Sequence, residues 1–478
     1  MRYQSTRGTA CLAFRDVLLE GLAADGGLYV PQSYPQVDAA TLAAWRVLLA
    51  EQGYARLAYE VLRLFLSDIP DAELRSLCAA AYSETVFGSQ VVTPVTAVGT
   101  DGQLWLAHLS YGPTAAFKDL AMQLLSQLFE YELTRRDTWL TVLGATSGDT
   151  GSSAEEAMRS LSRVKVAMLT PRGRMTPFQQ AQMYGIDVPS IANIAIDGVF
   201  DDCQDLVKAI NRDSDFKAAH HIGAVNSINV ARLLAQVVYA FATWLQVAPD
   251  ETTRISFAVP TGNFGDILSV HVARQMGLPV DALILATNEN NVLAEFFATG
   301  VYRPRSSANT YATSSPSMDI SKASNLERFI FDLVDRDSDR TAALFQQAEH
   351  GHFDLSTDAA FRNQRARFGI VARASSHADR VATIAHYWRT HQLLIDPHTA
   401  DGLHVAATLQ AAGEVTTPII AYETALPIKF TATIREAVGF DPPTPERFSD
   451  LLSRPRHVTD LPNDAETLKR WLTHWLTA

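Results

Sequence analysis

Two hydrophobic spacings divide the chain into regions of different predicted structure. Over the first 90 residues, apolar positions recur every three or four residues, as at Leu42, Trp45 and Leu49, which is the spacing of amphipathic helices. From about residue 95, short apolar runs alternate with amphipathic segments. Because helical sequence follows each run, the pattern predicts a mostly parallel sheet covered by helices.

The predicted strands of this region are short and apolar. They are LWLAHL (104–109), TWLTVLGA (138–145), VKVAML (164–169), SIANIAI (190–196), ISFAVP (255–260), ALILAT (282–287) and TPIIAYET (417–424). Another short strand is predicted for LYVP (28–31), after an Asp-Gly-Gly turn. Residues 301–319 are rich in Ser, Thr, Asn and Pro and predict a long loop. Two helices joined by an Asp-Pro turn are predicted around residue 396.

These patterns predict an α/β protein preceded by a mainly helical N-terminal region. The strands outnumber those of one mononucleotide-binding half, so the α/β region is predicted to form two domains.

The composition limits the classes of function. A chain of 478 residues that is 47% hydrophobic and 19% charged is typical of a globular protein with more than one core. Its formal net charge of −12 disfavours non-specific binding to nucleic acid or anionic lipid. Three distant cysteines without metal-ligand spacing predict neither a disulfide framework nor a zinc site. With no apolar leader and no long apolar run, we expect a cytoplasmic protein without a membrane span.

A glycine-rich turn follows the predicted strand at 255–260. It reads Thr-Gly-Asn-Phe-Gly, with glycines at Gly262 and Gly265, and precedes an amphipathic helix. The turn has no Lys or Arg, so backbone amides and the helix dipole would bind an anion there. The pattern is neither a Walker motif nor GxGxxG, which favours a single phosphate over a nucleotide. The alternative is a tight strand-to-helix turn that binds nothing.

A second glycine-rich turn is rich in hydroxyl groups. The segment GATSGDTG (144–151) places Thr146, Ser147 and Thr150 at the predicted start of a helix. Several hydroxyls and amides together suit a carboxylate, which accepts several short hydrogen bonds. A cluster of helix-capping residues on a surface helix is the alternative.

Lys118 is the candidate reactive amine. It follows Gly112-Pro113 at the start of a helix predicted from about Phe117 to Tyr131, among apolar residues, a setting that favours nucleophilic use. A surface lysine paired with Asp119 or Glu130 is the alternative. A buried amine, a single-phosphate cradle and a carboxylate loop together are what a pyridoxal phosphate enzyme acting on an amino acid requires.

Eight ordered segments identify a family. They are STRG (5–8) with GLAADGGLYVP (21–31), GPTAAFKD (112–119), GATSGDTGSSA (144–154), PTGNFGD (260–266), ATNENNVL (286–293), SPSMDI (315–320), DPHTADG (396–402) and TALPIKF (424–430). In these segments, which span nearly the whole chain, the protein resembles the threonine synthases, fold-type II pyridoxal phosphate enzymes related to the tryptophan synthase β subunit. The resemblance implies two α/β domains built on mostly parallel sheets. The expected parts are a mainly helical N-terminal domain (1–92), a large α/β domain (93–125 and 230–432), a small α/β domain (126–229) and a C-terminal extension (433–478).

The resemblance also implies roles for individual cofactor-binding residues. Lys118 matches the lysine that holds pyridoxal 5'-phosphate covalently and then moves protons. Thr424 matches the hydroxyl residue beside the pyridine nitrogen. The expected phosphate loop and the residue after it are Gly262, Asn263, Phe264, Gly265 and Asp266.

Substrate-binding residues are implied in the same way. The loop that receives the substrate carboxylate is Thr146, Ser147, Gly148, Asp149 and Thr150, in which Asp149 stands where distant relatives have an Asn facing the ring hydroxyl. Ser110 and Tyr111 are also expected beside the substrate. Candidate donors to a substrate phosphate are Ser110, Arg174, Lys322 and Asn325, although a solvated surface charge is an equal interpretation for Arg174 and Lys322.

The expected activity is conversion of O-phospho-L-homoserine and water into L-threonine and phosphate. The family often has His where this chain has Tyr111, and TAHPAKF where Leu426 and Ile428 stand here. These departures leave open a related pyridoxal phosphate lyase acting on another γ- or β-substituted amino acid. A catalytically silent relative kept as a binding protein is a third hypothesis. The expected partner is a small-molecule amino acid, with no metal, nucleic acid or membrane, for a monomer or homodimer.

Overall fold

The computed structural model describes residues 1–223, 227–306 and 309–477. The predicted loop 301–319, small domain and C-terminal extension therefore each include residues outside the described part of the chain.

Sixteen strands, β1 to β16, occur in the described ranges. In chain order they are Tyr3–Ser5, Cys11–Leu12, Tyr29–Pro31, Val95–Val98, Leu104–His108, Leu140–Ala145, Val164–Pro171, Ile191–Ile196, Ile222–Gly223, Ile255–Pro260, Val280–Thr287, Val301–Tyr302, Phe353–Asp354, Ile370–Ala374, Ile419–Glu423 and Thr459–Leu461. All strands predicted from the sequence are present, as β3, β5 to β8, β10, β11 and β15. The others were not predicted because they are very short or lie at sheet edges.

Twenty α-helices, α1 to α20, occur in the same ranges. In chain order they are Phe14–Glu20, Ala39–Leu62, Asp71–Ala81, Glu84–Phe87, Lys118–Arg135, Asp149–Met158, Pro177–Tyr184, Phe200–Arg212, Ser214–Ala219, Val230–Val247, Gly265–Gln275, Val292–Thr299, Leu326–Leu333, Ser338–Glu349, Ala359–Arg362, Gln364–Phe368, His377–His391, Pro397–Ala411, Thr431–Val438 and Ala465–Thr477. The helices predicted after the turns at Gly148 and Gly265 are α6 and α11.

The chain divides into two compact units. The first contains residues 1–112 and 227–442, and the second contains residues 113–226 and 443–478. The predicted boundaries differ from this division, since they assign residues 113–125 to the large domain and treat 433–478 as a separate extension. Helix α5 packs on α6, and α20 packs on α8, so both segments associate with the second unit. Such packing between distant segments is not visible in local sequence patterns.

The first unit is built on a six-stranded sheet in the order β14-β11-β10-β15-β5-β4. Five strands run parallel and β4 pairs antiparallel with β5. Apolar residues of β10, β11, β15 and α18, such as Ala258, Ile284, Ile419 and Leu403, form a continuous core. The N-terminal region was predicted as mainly helical, and it also holds an antiparallel sheet in the order β2-β1-β3.

The second unit is built on a five-stranded sheet in the order β16-β8-β7-β6-β9. Every pair in it is parallel. Its core combines strand residues such as Leu143 and Ile194 with Ile210 of α8 and Leu468 of α20. The C-terminal segment therefore completes both the sheet and the core of this unit.

Helix α10 is long and apolar enough to cross a membrane by length and composition. However, 89% of its residues are buried inside the protein, as expected for the core helix of a folded domain. It packs on α2 and α11 in the first unit.

Candidate active site

Three adjacent strands of the first unit end beside one another and are followed by predicted site residues. Strand β15 pairs in parallel with β10 on one side and with β5 on the other. Parallel strands present their carboxyl ends at one edge of a sheet, which is where α/β proteins bind ligands. The residues that follow these three ends are the turn 261–264, Thr424 and Ser110. The fold thus brings together three segments that are distant in sequence.

The turn after β10 exposes a row of backbone amides. Helix α11 begins at Gly265, and Phe264 before it has a left-handed conformation with φ +65°. The N–H groups of residues 262–266 donate to no atom of the described chain. The first N–H groups of a helix have no partner within it and carry its positive dipole end. This row of donors therefore fits a phosphate group.

Gly262 allows a second segment to close against the turn. A Cβ atom on Gly262 would lie 3.0 Å from Met318 Cα and 3.1 Å from Ile320 Cδ1. Any larger residue would therefore displace the SPSMDI segment. The turn is anchored further by Asn263, whose carbonyl accepts from the Asn325 N–H at 3.1 Å. The predicted phosphate cradle is thus a rigid turn enclosed by neighbouring backbone.

The DPHTADG motif connects this segment to Thr424. Asp396 caps α18, and its Oδ1 accepts from His398 Nδ1 at 2.8 Å while Oδ2 accepts from the Thr399 hydroxyl. His398 Nε2 accepts from the Ser317 N–H at 3.1 Å, so the imidazole proton lies on Nδ1. Thr399 Oγ1 in turn accepts from the Thr424 N–H at 3.4 Å. One buried carboxylate thereby braces two predicted parts of the cofactor site.

Ser110 and Tyr111 lie beside a buried polar network. The Ser110 hydroxyl donates to Glu423, and His108 Nδ1 bonds the other oxygen of Glu423 at 2.9 Å. Tyr111 is 36% exposed and stacks on His108, with ring centroids 5.1 Å apart. Ser110 is completely buried, and its hydroxyl holds the side-chain carboxylate of Glu423, the residue before Thr424. Glu423 and His108 were not predicted from the sequence, although a carboxylate inside an apolar strand is a usable signal.

Asp266 faces α10. Its Oδ1 accepts from the Tyr239 hydroxyl, while Oδ2 has no hydrogen-bond partner among the described residues. Burial raises the pKa of the Asp266 carboxyl to about 7. The carboxyl therefore supports the start of α11 from the α10 side, whereas the N–H of Asp266 belongs to the row of amides at the turn.

The second unit carries the other predicted residues. Lys118 is the first residue of α5, and its side chain is 15% exposed. Its Nζ lies 3.8 Å from Asp149 Oδ2 at the start of α6 and 5.8 Å from the centre of the Phe117 ring. The amine is thus nearly enclosed beside one carboxylate and one aromatic ring.

The turn before Lys118 is held by its neighbours. Asp119 accepts from the Thr114 N–H at 2.8 Å and from its hydroxyl at 2.6 Å, and Gln182 Nε2 donates to the Thr114 carbonyl at 2.7 Å. Ala115 is buried with φ +59°, an uncommon conformation for alanine. A residue held in such a sparsely populated backbone conformation is typical of functional sites.

The turn 146–150 is shaped by Thr146. Its hydroxyl oxygen accepts from the N–H groups of Gly148 at 3.0 Å and Gly151 at 2.9 Å. Gly148 has φ +139°, and a Cβ on it would lie 2.5 Å from Gln179 Cδ. Gln179 also donates to Asp149 Oδ1 at 2.9 Å. Thr146 is buried and its oxygen holds the turn together, whereas Ser147 is exposed.

The candidate donors to a substrate phosphate occupy different environments. Arg174 and Lys322 are exposed. Asn325 is completely buried, and its side chain bonds the Ser227 carbonyl at 3.1 Å and the Arg328 guanidinium at 2.6 Å. Its backbone N–H donates to the Asn263 carbonyl, so Asn325 holds the turn at Asn263 in place. Among the described residues, no group of three or more His, Cys, Asp or Glu side chains is arranged to bind a metal.

Comparison with known proteins agrees with these features. Residues 89–349 match the family model "Pyridoxal-phosphate dependent enzyme", residues 2–82 match "Threonine synthase N terminus", and residues 399–472 match "Threonine synthase, C-terminal". The chain is 58% identical to a threonine synthase of Corynebacterium glutamicum, over 99% of this chain and 98% of the relative. It is 49% identical to one of Methylobacillus glycogenes, over 99% of both.

A solved structure extends the comparison to three dimensions. The crystal structure of a PLP-bound threonine synthase from Brucella melitensis is similar, with a TM-score of 0.93 and 38% identity over 100% of both chains. The sequence-based predictions of the family, fold type and cofactor are confirmed. The chain belongs to the threonine synthase family of pyridoxal-phosphate dependent enzymes.

Proposed function

We propose that this protein converts O-phospho-L-homoserine and water into L-threonine and phosphate, with pyridoxal 5'-phosphate as cofactor. Membership of the threonine synthase family supports the reaction. One observation supports the site assignment most directly. The backbone N–H groups of residues 262–266, at the start of α11, have no acceptor among the described residues, and the Met318 backbone lies against Gly262 in this turn. Such a turn fits the phosphate of a cofactor.

The proposed cofactor residues come from the matched motifs. Lys118 would hold the cofactor covalently, the amides of residues 262–265 would bind its phosphate with Asp266 at the loop's end, and Thr424 would lie beside its ring nitrogen. When bound, the cofactor supplies the electron sink that allows protons to leave Cα and Cβ and phosphate to leave Cγ. The brace from Asp396 through Thr399 to Thr424 supports this assignment, because it holds the Thr424 backbone in one position.

Lys118 is the proposed proton carrier. Once substrate has replaced it, its Nζ is a primary amine that accepts the Cα proton and returns a proton at Cγ. Asp149, 3.8 Å from Nζ, stabilises the ammonium form between these transfers. Gln179 holds that carboxylate from the other side at 2.9 Å. These contacts support Asp149 as a residue that orients the amine.

The substrate carboxylate is proposed to bind at the start of α6. The Thr146 oxygen accepts two N–H groups within the turn, which leaves its hydroxyl proton as a donor. The other available donors are the Ser147 hydroxyl and the N–H groups of Ser147 and Thr150, which donate to no described residue. Gly148 lets the turn adopt its curvature. Ser110 and Tyr111, which belong to the first unit, are also proposed to contact the substrate.

A different γ- or β-substituted amino acid is the second candidate substrate. It is favoured by Tyr111, which stands where the family often has His and whose exposed ring stacks on His108. The two candidates are separated by a substrate screen with purified holoenzyme. Threonine and phosphate formed in equal amounts from O-phospho-L-homoserine support the first. No product from that compound, with turnover of another amino acid, supports the second.

The proposed role of Lys118 is tested by Lys118→Ala. The variant should lose turnover and the visible absorbance of the covalently bound cofactor. Lys208→Ala is a matched control, because Lys208 is an exposed lysine whose one ion-pair partner among the described residues is Asp205. Turnover by Lys118→Ala at the parent rate would contradict the assignment.

We infer that the protein works in the cytoplasm on a small-molecule amino acid, as a monomer or homodimer without nucleic-acid or membrane partners. The net charge of −12 supports the absence of polyanion binding. Light scattering of the purified holoenzyme measures its mass, and a trimer or larger assembly would contradict this inference.

A further inference from the structure

His108 and Glu423 are buried polar residues to which the proposed function gives no role. They lie directly opposite each other in the parallel pair of β5 and β15, at the carboxyl ends of both strands. Residues two positions apart in a strand share a face, and on this face the preceding residues Leu106 and Ala421 belong to the apolar core. Burying an imidazole and a carboxylate at the end of such a face is costly, so the pair is expected to have a specific role.

Hydrogen bonds hold the imidazole of His108 at both nitrogens. Its Nδ1 donates to Glu423 Oε2 at 2.9 Å, and its Nε2 bonds the Thr96 hydroxyl at 2.9 Å. The other oxygen of Glu423 accepts from the Ser110 hydroxyl. Strands β4, β5 and β15 therefore each supply one residue to a line of bonds that ends at Glu423. Because rotation of the ring would break both of its bonds, the sheet sets the plane of the imidazole.

Tyr111 lies on the ring that is held in this way. The centroids of the Tyr111 and His108 rings are 5.1 Å apart and the ring planes differ by 28°, which is a stacked arrangement. Tyr111 belongs to no helix or strand, since β5 ends at His108 and α5 begins at Lys118. An exposed loop tyrosine ordinarily samples several rotamers. The stack on His108 selects one of them for Tyr111.

The position of Tyr111 in the chain places it at the candidate site. It follows the carboxyl end of β5, and the neighbouring strand β15 leads into Thr424. Ligands of α/β proteins bind at this edge of the sheet. Ordering a side chain on binding reduces affinity, and a side chain that is already immobilised avoids this loss. Tyr111, held on His108 before substrate arrives, can therefore contribute more of its contact energy to binding.

We propose that His108 is a positioning residue, which Thr96 and Glu423 hold in place and which fixes the Tyr111 ring for contact with the amino-acid substrate. The proposal rests on the proposed function in placing the substrate beside Tyr111, whereas the position of the ring itself does not depend on that function. An aromatic pair contributes a factor of about 2 to 12 in an equilibrium constant beyond its buried area, which sets the expected size of the effect.

A double-mutant cycle tests the connection between the two rings. His108→Asn keeps a donor to Glu423 in place of Nδ1 and removes the ring on which Tyr111 lies. Tyr111→Ala removes the other ring, and a variant with both substitutions completes the cycle. KM and kcat for O-phospho-L-homoserine are measured on cofactor-saturated full-length protein. His386→Asn is the control, because exposed His386 contacts the Tyr387 ring on α17, with centroids 5.6 Å apart.

Each single substitution should raise the KM by about threefold or more and leave kcat within about twofold of the parent. The reason is that a contact made equally with bound substrate and transition state changes KM alone. The double variant should have a KM no higher than that of Tyr111→Ala, since His108 acts through Tyr111. A purely structural histidine would raise the KM again in the Tyr111→Ala background. His386→Asn should match the parent.

Nitration by tetranitromethane reports on the Tyr111 ring without turnover. The nitration rate of Tyr111 is followed by mass spectrometry of proteolytic peptides, with Tyr311, which is 59% exposed, as the internal standard. His108→Asn should raise the rate at Tyr111 relative to Tyr311 by about threefold or more, because it uncovers one face of the ring. Thr96→Val removes only the bond to Nε2, at an exposed residue, and should raise this rate and the KM by about twofold. It replaces His108→Asn in the test if that variant does not fold.

The proposal is overturned if Tyr111→Ala or His108→Asn leaves the KM unchanged, or if their KM increases multiply in the double variant. It is also overturned if the nitration rate of Tyr111 is unchanged in both His108→Asn and Thr96→Val. If the parent makes no threonine from O-phospho-L-homoserine, the proposed function fails, and the nitration rates alone decide whether His108 fixes the Tyr111 ring.

Discussion

His398 offers a test of how the DPHTADG motif supports the phosphate turn. Its ring makes two different hydrogen bonds, donating through Nδ1 to Asp396 at 2.8 Å and accepting through Nε2 from the Ser317 N–H at 3.1 Å. An Asn side chain can replace the Nδ1 donor but not the Nε2 acceptor, and a Gln side chain can replace the acceptor but not the donor. His398→Asn and His398→Gln therefore remove one bond each.

The two variants should affect different properties. Ser317 precedes Met318, whose Cα lies against Gly262, so losing its acceptor loosens the segment that encloses the phosphate turn. A neutral hydrogen bond contributes about 1 kcal/mol, so His398→Asn should weaken cofactor binding about fivefold. His398→Gln should keep cofactor affinity within twofold, but it removes a charged hydrogen bond from a buried carboxylate and should lower the free energy of unfolding by about 2 kcal/mol.

The assay is titration of the cofactor-free variants with pyridoxal 5'-phosphate, together with urea unfolding of the same samples. Each variant also loses the edge contact between His398 and the Phe430 ring, whose centroids lie 4.8 Å apart, so this loss cancels in the comparison. Equal cofactor affinities for His398→Asn and His398→Gln would refute the reasoning, since the bond to Ser317 would then not control the turn.

Three further predictions follow from buried and glycine positions. Asp266 has a pKa of about 7 against an ordinary 3.8, so the folded protein loses stability as pH rises through this range and the carboxyl ionises. Asp266→Asn keeps an oxygen that accepts from Tyr239 but cannot ionise. In thermal unfolding it should match the parent at pH 4 and be more stable than the parent by up to about 4 kcal/mol at pH 8. Gly148→Ala, at φ +139° against Gln179, should cost about 1–3 kcal/mol in urea unfolding; an unchanged midpoint contradicts this. Gly262→Ala should weaken binding of pyridoxal 5'-phosphate but not the folding of the apoprotein, and equal cofactor affinity would show that the turn tolerates a side chain.

Local patterns were sufficient for the elements that position the turns. The strand at Ile255–Pro260 and the helix from Gly265 were predicted because an apolar run, a glycine turn and an amphipathic segment follow one another directly. The strand β16 was not predicted, although Thr459–Leu461 pairs in parallel with Ile191–Ile196. Its three residues have no periodicity, and its existence depends on a partner strand more than 260 residues earlier in the chain.

Some polar groups of the candidate site can likewise be predicted from local sequence, and others cannot. Amides at the turn 262–266 were predicted because glycine, loop position and helix start are properties of neighbouring residues. The bond between His108 and Glu423 joins residues 315 positions apart, and the sequence around either residue does not indicate that the other is its partner. Arg232 had a visible signal, a single charge inside an apolar helical stretch, but only packing shows that two of its donors lack a partner among the described residues.

The sequence by itself determined the family, the cofactor, the alternation of strands and helices and the residues expected at each turn. These depend on residue type and short spacing, which backbone geometry converts directly into local structure. Only the tertiary structure decided that the C-terminal segment completes the second sheet, that Asp396 braces Ser317 and Thr424 together, and which buried charges are paired. Those outcomes depend on long-range packing, in which each group is stabilised by atoms that its neighbours in sequence do not supply.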